Sequence, residues 1–155
     1  MKGNKDVIAA LNALLTHELT AVDQYFVQGR MLENWGFMRL HARISHEADD
    51  ERMHADKLVK RILFLEGQPD VASRAKLRIG SNPKEILESG LAYELEVAQA
   101  LNDAIALCRK KADNGTRELL EELLNDTEMD HILWFRQQLE LIEKVGLKKY
   151  LAEQL

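Results

Sequence analysis

Two short stretches repeat one polar spacing. In "DDERMHADKL", residues 49–58, Glu51 and His54 stand three apart, and in "TEMDHILW", residues 127–134, Glu128 and His131 do the same. Three residues apart on a helix means one face, so each pair aims a carboxylate and an imidazole at a common point. One such pair is a weak motif. Two pairs, joined by solitary glutamates at Glu18 and Glu94 on otherwise apolar stripes, are harder to assign to chance, because buried ionised groups are rare unless paired or bound to metal. Four carboxylates within about 6 Å would raise one another's pKa and could not all stay ionised in an apolar interior. A cation must join them. Two divalent ions would bring +4 against four glutamates at −4, with both imidazoles neutral, which favours a dinuclear centre. Oxygen-rich ligation with one imidazole per ion suits iron or manganese, whereas structural zinc is more often mononuclear and richer in His or Cys. Glu51 and Glu128 would then bridge, Glu18 and Glu94 would be terminal, and His54 and His131 would serve one ion each.

The elements that must position these groups are helices. Apolar residues recur at helical spacing from Val7 to Leu32 and, after "ENWGF", from Leu40 to Leu65. After the polar stretch "EGQPDVASRAKLRIGSNP", Ser81 or Asn82 caps a third helix with Pro83 in its first turn, running to about Lys111. "DNGT" breaks the chain before a fourth helix to about Val145, and Gly146 precedes a short fifth, "LKKYLAEQL". The inward stripes read Ile8, Leu11, Leu15, Glu18, Val22 and Tyr25; Leu40, Ile44, Glu47, Glu51, His54, Leu58 and Ile62; Leu87, Leu91, Glu94, Ala98, Leu101, Ile105 and Cys108; and Leu120, Leu124, Glu128, His131, Phe135 and Leu139. Every helix thus carries a carboxylate near mid-length on its apolar face.

Short links make the first and second helices, and the third and fourth, antiparallel neighbours. The link between the second and third, roughly 16 residues, can reach about 53 Å, against about 42 Å for each helix. It can cross the bundle. The expected fold is all-α, a four-helix bundle with a long crossover and a short C-terminal fifth helix, in one domain spanning 1–155.

Composition narrows the function classes. A net charge of −5 with scattered Lys and Arg gives no basic stripe for nucleic acid. No apolar run approaches the roughly 20 residues of a membrane helix. The single cysteine, Cys108, excludes an intramolecular disulfide, and "MKGNKDVIAALN" lacks signal-peptide features, so a cytoplasmic protein is expected.

The ligand pattern, with "MKG" at the start, "DQYF" from 23, "RILFLEG" from 61 and "LELIEKVGLKKYL" near the C-terminus, resembles bacterioferritin over essentially the whole chain. The double Glu-x-x-His is its most specific part. Animal-type ferritins lack the second histidine, the DNA-protecting miniferritins build their site between subunits, and rubrerythrins need a cysteine-rich domain for which there is no room. The resemblance implies a ferritin-like fold and a hollow homo-oligomer, a 24-mer. It further implies a ferroxidase that oxidises ferrous iron with oxygen or peroxide at an intrasubunit di-iron centre, stores ferric mineral inside, and takes electrons from a ferredoxin. The ligands it implies are Glu18, Glu51, His54, Glu94, Glu128 and His131. Tyr25 matches a tyrosine implicated in electron supply, or is an ordinary core tyrosine; His46 and Asp50 match an additional inner-surface iron position, or are a plain solvated pair. Glu47 is a polar neighbour of the site or part of an iron route. Cys108 reads as core, His17 and His41 as surface histidines, and Met31, Trp35, Phe37 and Trp134 as core or intersubunit anchors.

One position departs from the pattern. Haem-holding members take a methionine from each of two subunits immediately after the second helix's glutamate, and here that residue is Arg52. Met53 is turned from that direction by about 100°. A homo-oligomer is therefore not expected to hold haem b. This leaves a haem-free shell, or a subunit that coassembles with a methionine-bearing, haem-binding relative. The competing functions are a structural or iron-buffering subunit without catalysis, and a di-iron oxygenase acting on an organic substrate.

Overall fold

Helix boundaries follow the caps. The computed structural model describes residues 1–155, with α1 (Lys5–Asn34), α2 (Met38–Phe64), α3 (Pro83–Lys110), α4 (Asn114–Asp126), α5 (Leu133–Val145) and α6 (Leu147–Ala152). Asn4 starts α1 by accepting the N–H groups of Asp6 and Val7, Asn82 starts α3 by accepting that of Glu85, and Asp113 starts α4 by accepting that of Thr116. Gly146, at φ +85°, takes the left-handed turn between α5 and α6 that a side chain would resist. Between α4 and α5, Thr127–Ile132 form a π-helical turn, so α4, this turn and α5 make one continuous fourth rod.

Pairwise contacts fix the directions. Along α1 and α3, Asp6 meets Lys111, Tyr25 meets Glu94 and Gln28 meets Ser89, so rising numbers on one helix face falling numbers on the other. Along α2 and the fourth rod, Arg43 meets Asp130, His54 meets Asp126, Lys57 meets Glu122 and Arg61 meets Asp113. Since α1 and α2 form a hairpin, α2 and α3 run parallel, and residues 66–82 cross the bundle from end to end. This is the ferritin-like arrangement expected from the link length.

The crossover is stitched to α1 by a ladder of side chains that the apolar stripe did not reveal. Asn12 accepts the N–H of Asp70 and donates to the carbonyl of Gln68; Thr20 Oγ1 accepts the N–H of Ala75; Gln24 accepts that of Arg78; Gln28 donates to the carbonyl of Ile79. Thr20, Gln24 and Gln28 are fully buried by this cover. Each satisfies loop backbone groups that would otherwise face an apolar helix. The helices close on a continuous apolar core, and at one point the approach leaves no space for a side chain. Gly90 on α3 faces the Phe135 ring so closely that an added Cβ would overlap it. No helix is long and apolar enough to cross a membrane.

Candidate metal centre

Five of the six expected ligands converge at mid-bundle. Glu18 comes from α1, Glu51 and His54 from α2, Glu94 from α3 and His131 from the π-helical turn, and all are buried. Their ligating atoms fall into two overlapping groups, Glu18 with Glu51 and His54, and Glu47 with Glu51, Glu94 and His131, each within 4.8 Å of one another. Glu51 belongs to both. His54 Nδ1 lies 3.6 Å from Glu18 Oε2 and 3.5 Å from Glu51 Oε2, while His131 Nδ1 lies 2.7 Å from Glu51 Oε1, 3.0 Å from Glu47 Oε2 and 3.5 Å from Glu94 Oε1. The two imidazoles are nearly parallel, 9° apart, with centroids separated by 5.8 Å.

The sixth expected ligand is elsewhere. Glu128 does not point inward: its side chain is exposed, and Thr127 occupies the buried position instead. The inward positions of the fourth rod are Leu120, Leu123, Thr127, His131 and Phe135. In four steps a regular alternation of threes and fours would advance from 120 to 134, whereas both the expected stripe and the observed one advance to 135, and they differ in where the single three-residue step falls. The π-helical turn absorbs the extra residue. Helical periodicity read from the sequence had placed Leu124 and Glu128 on the inner face, because nothing in "NDTEMDHI" marks where a turn widens. The carboxylate missing from the fourth rod is supplied by Glu47, on the apolar stripe of α2 and fully buried.

The donor set fits cations. Both oxygens of Glu18, Oε2 of Glu47 and Glu94, Oε1 of Glu51 and Nδ1 of both histidines are buried without a hydrogen-bond partner. Orphaned polar atoms carry a desolvation cost that a bound ion would offset. Without metal, protons take that role in part. Burial, reinforced by the charge of Glu51, holds the Glu18 carboxyl well above the usual carboxylate range. For His54, burial works against the charged ring, but the carboxylates of Glu18 and Glu51, 3.6 and 3.5 Å from Nδ1, outweigh it and push the imidazole up to about 11. His131 moves in the same direction, burial again opposing and Glu47, Glu51 and Glu94 prevailing.

Around the centre, Tyr25 donates its hydroxyl to Glu94 Oε1 at 2.6 Å and stacks on Phe135 with centroids 6.0 Å apart. It is in contact with a carboxylate of the candidate centre rather than being filler alone. Burial and then the neighbouring Glu94 charge keep its phenol protonated. On the other side, His46, Asp50 and Asp130 form a third group beside a cleft of about 230 Å³ that reaches His54 and His131. Asp50 Oδ2 is 3.4 Å from His131 Nε2 and Asp126 Oδ2 is 3.5 Å from His54 Nε2. Arg52 and Met53 are both exposed, and Met53 turns into this same cleft. The position after Glu51 therefore carries a guanidinium, which does not ligate haem iron, where the resemblance calls for a thioether.

An all-helical crossover bundle with a carboxylate-histidine centre defines a class, and the family comparison names it. The model of the ferritin-like domain matches residues 8–145, and the chain belongs to that family. Among its relatives, "Bacterial ferritin" of Synechocystis sp. is 46% identical over 155 residues, covering 100% of this chain and 99% of its own. "Bacterial ferritin" of Paramagnetospirillum magnetotacticum is 47% identical over 152 residues, 97% and 93% of the two chains. "Bacterioferritin" of Mycolicibacterium paratuberculosis is 42% identical over 153 residues, 99% and 96%.

Proposed function

We propose that the chain is an iron-storage subunit of bacterioferritin type that oxidises ferrous iron at an intrasubunit centre and passes ferric product into the cavity of a 24-subunit shell. One observation carries this reading: six buried donors, Glu18, Glu47, Glu51, Glu94, His54 and His131, converge in two groups that share Glu51, with most of their facing atoms lacking any protein partner. Glu51 is the natural bridge. Glu18 and His54 would complete one iron position, and Glu47, Glu94 and His131 the other. In place of the expected bridging role for Glu128, a single bridge from α2 is supported. Two ferrous ions held this way lie side by side, so each can give one electron to a common oxidant, oxygen or peroxide.

The residues of the chain supply what that step needs. Glu51 would fix the ions relative to each other, and the histidines would bind as neutral rings and therefore release their protons as iron enters. The cleft lined by His46, Asp50, Asp126 and Asp130, with Lys57 as its one cation, would offer metal ions a mainly acidic approach to His54 and His131. Arg52 favours a haem-free shell, or one in which a methionine-bearing relative supplies the haem. The cytoplasm and a ferredoxin electron donor accord with this role.

Stopped-flow absorbance under air tests the proposal. Oxidation of about two ferrous ions per chain should be fast in the assembled protein and lost in Glu18→Ala and Glu94→Ala, with helicity and particle size retained. Unchanged kinetics in those variants would leave a structural or iron-buffering subunit, and an apolar substrate accelerating oxygen consumption would favour an oxygenase.

A further inference from the structure

The two halves of the centre are not equivalent, and the difference lies in which carboxylate oxygens are already engaged. At the second position, Arg43 Nε donates to Glu47 Oε1 at 2.7 Å and Tyr25 donates to Glu94 Oε1 at 2.6 Å, so each carboxylate keeps only Oε2 without a protein partner. At the first position, neither oxygen of Glu18 has a protein donor. Arg43 is itself held from several sides. Its Nη2 donates to Asp130 Oδ1 at 3.0 Å and to the Asp130 carbonyl at 3.4 Å, and its guanidinium carbon lies 4.7 Å from the Trp134 ring centroid. A planar, permanently charged fork suits all these contacts at once; an ammonium would meet only some of them. Its side chain is 25% exposed, whereas that of Glu47 is wholly buried, so the pair links the surface to the centre.

We propose that Arg43 is a positioning residue that weakens the second iron position and makes its ion more exchangeable: it limits Glu47 to one ligating oxygen and offsets part of its charge. An ion held by Glu47, Glu94 and His131 then leaves more readily than it would from the same donors without Arg43. The inference deepens the di-iron reading and rests on it. Its physical basis is simple. A carboxylate that already accepts a charge-assisted bond has less field left for a second cation, and the guanidinium repels that cation directly. Glu18 suffers neither effect and can chelate with both oxygens. Glu51 is common to both positions and the second has one carboxylate more, so the effect of Arg43 is read as a change within the second position.

Anaerobic titration of the assembled, metal-free protein with cobalt(II), followed by its d–d absorption, reads the two positions without turnover. The wild type should take two ions per chain in two resolvable steps. Arg43→Met should tighten the second step by about tenfold and leave the first in place, as expected for removing one nearby like charge. Arg43→Lys, which keeps the charge but only some of the contacts, should bind the second ion more weakly than Arg43→Met does. The inference is overturned if the second step in Arg43→Met is unchanged or weaker, if both steps shift together, or if Arg43→Lys behaves like Arg43→Met. Should Arg43→Met fail to assemble, Arg43→Gln is read by the same criteria. A wild-type protein that binds fewer than two cobalt ions per chain would instead sink the dinuclear reading, and this inference with it.

Discussion

The exchange of Glu128 for Glu47 can be tested by a pair of substitutions with opposite expectations. Glu47→Ala removes a fully buried carboxylate whose Oε2 faces His131 Nδ1 at 3.0 Å, and leaves Arg43 without its acceptor beside the second position. Loss of one charged interaction of this kind costs about 1.5–3 kcal/mol. At about 1.4 kcal/mol per factor of ten, that is roughly ten- to hundredfold in affinity for the second ion, and the orphaned guanidinium acts in the same direction. Glu128→Ala alters an exposed side chain, for which changes stay within about 0.5 kcal/mol, or about twofold. Anaerobic cobalt titration resolves the two ions, and stopped-flow oxidation of ferrous iron shows whether pairing survives. Glu47→Ala should retain the first ion, lose most of the second at micromolar metal and slow paired oxidation, whereas Glu128→Ala should match wild type in both assays. The opposite pattern, a second ion lost in Glu128→Ala and kept in Glu47→Ala, would refute the assigned ligand set.

Other outcomes follow from single contacts. Tyr25→Phe removes the donor to Glu94 Oε1 and leaves that buried oxygen unsatisfied, so urea denaturation of the metal-free protein should show a loss of about 1–3 kcal/mol, reduced when divalent metal is added. Gly90→Ala should destabilise by about 1–3 kcal/mol by overpacking against Phe135, and the double variant Gly90→Ala with Phe135→Leu should recover part of it; additive losses would contradict the close approach. Burial pushes the Cys108 thiol up to about 11, against the ordinary 9.0. A raised thiol pKa keeps the unreactive protonated form below that value, so iodoacetamide should leave the folded protein unmodified at pH 8 and label it faster only as the pH approaches about 11; rapid labelling at pH 8 would show that Cys108 is open to solvent.

Much of this was legible before any coordinates because it follows from strong, local rules. Asn82 with Pro83, Asp113 and Gly146 mark helix ends by well-defined backbone chemistry, and the length of the 66–82 stretch sets its ability to cross the bundle. The same holds for Glu18, Glu51, His54, Glu94 and His131, each an ionisable residue on an apolar stripe. Two features were not legible, for different reasons. The burial of Thr20, Gln24 and Gln28 depends on a loop distant in sequence lying across them, which no periodicity within α1 reveals. The inward-facing residue of the fourth helix depends on where one extra residue is absorbed. That choice, between Thr127 and Glu128, is a matter of packing on both flanks rather than of composition. Glu47 was visible on its stripe all along, but its weight in the centre became clear only with Glu128 displaced.

The widened turn at Thr127–Ile132 also places this chain a short mutational distance from a different donor arrangement. Deleting Thr127 alone would let the fourth rod run as an unbroken α-helix. Its inward residues would then alternate evenly, with Glu128 sliding into the place Thr127 vacates and His131 keeping its station. Loss or gain of one codon could therefore change which rod, α2 or the fourth, offers a carboxylate to the candidate centre, while the pocket's overall negative charge persists.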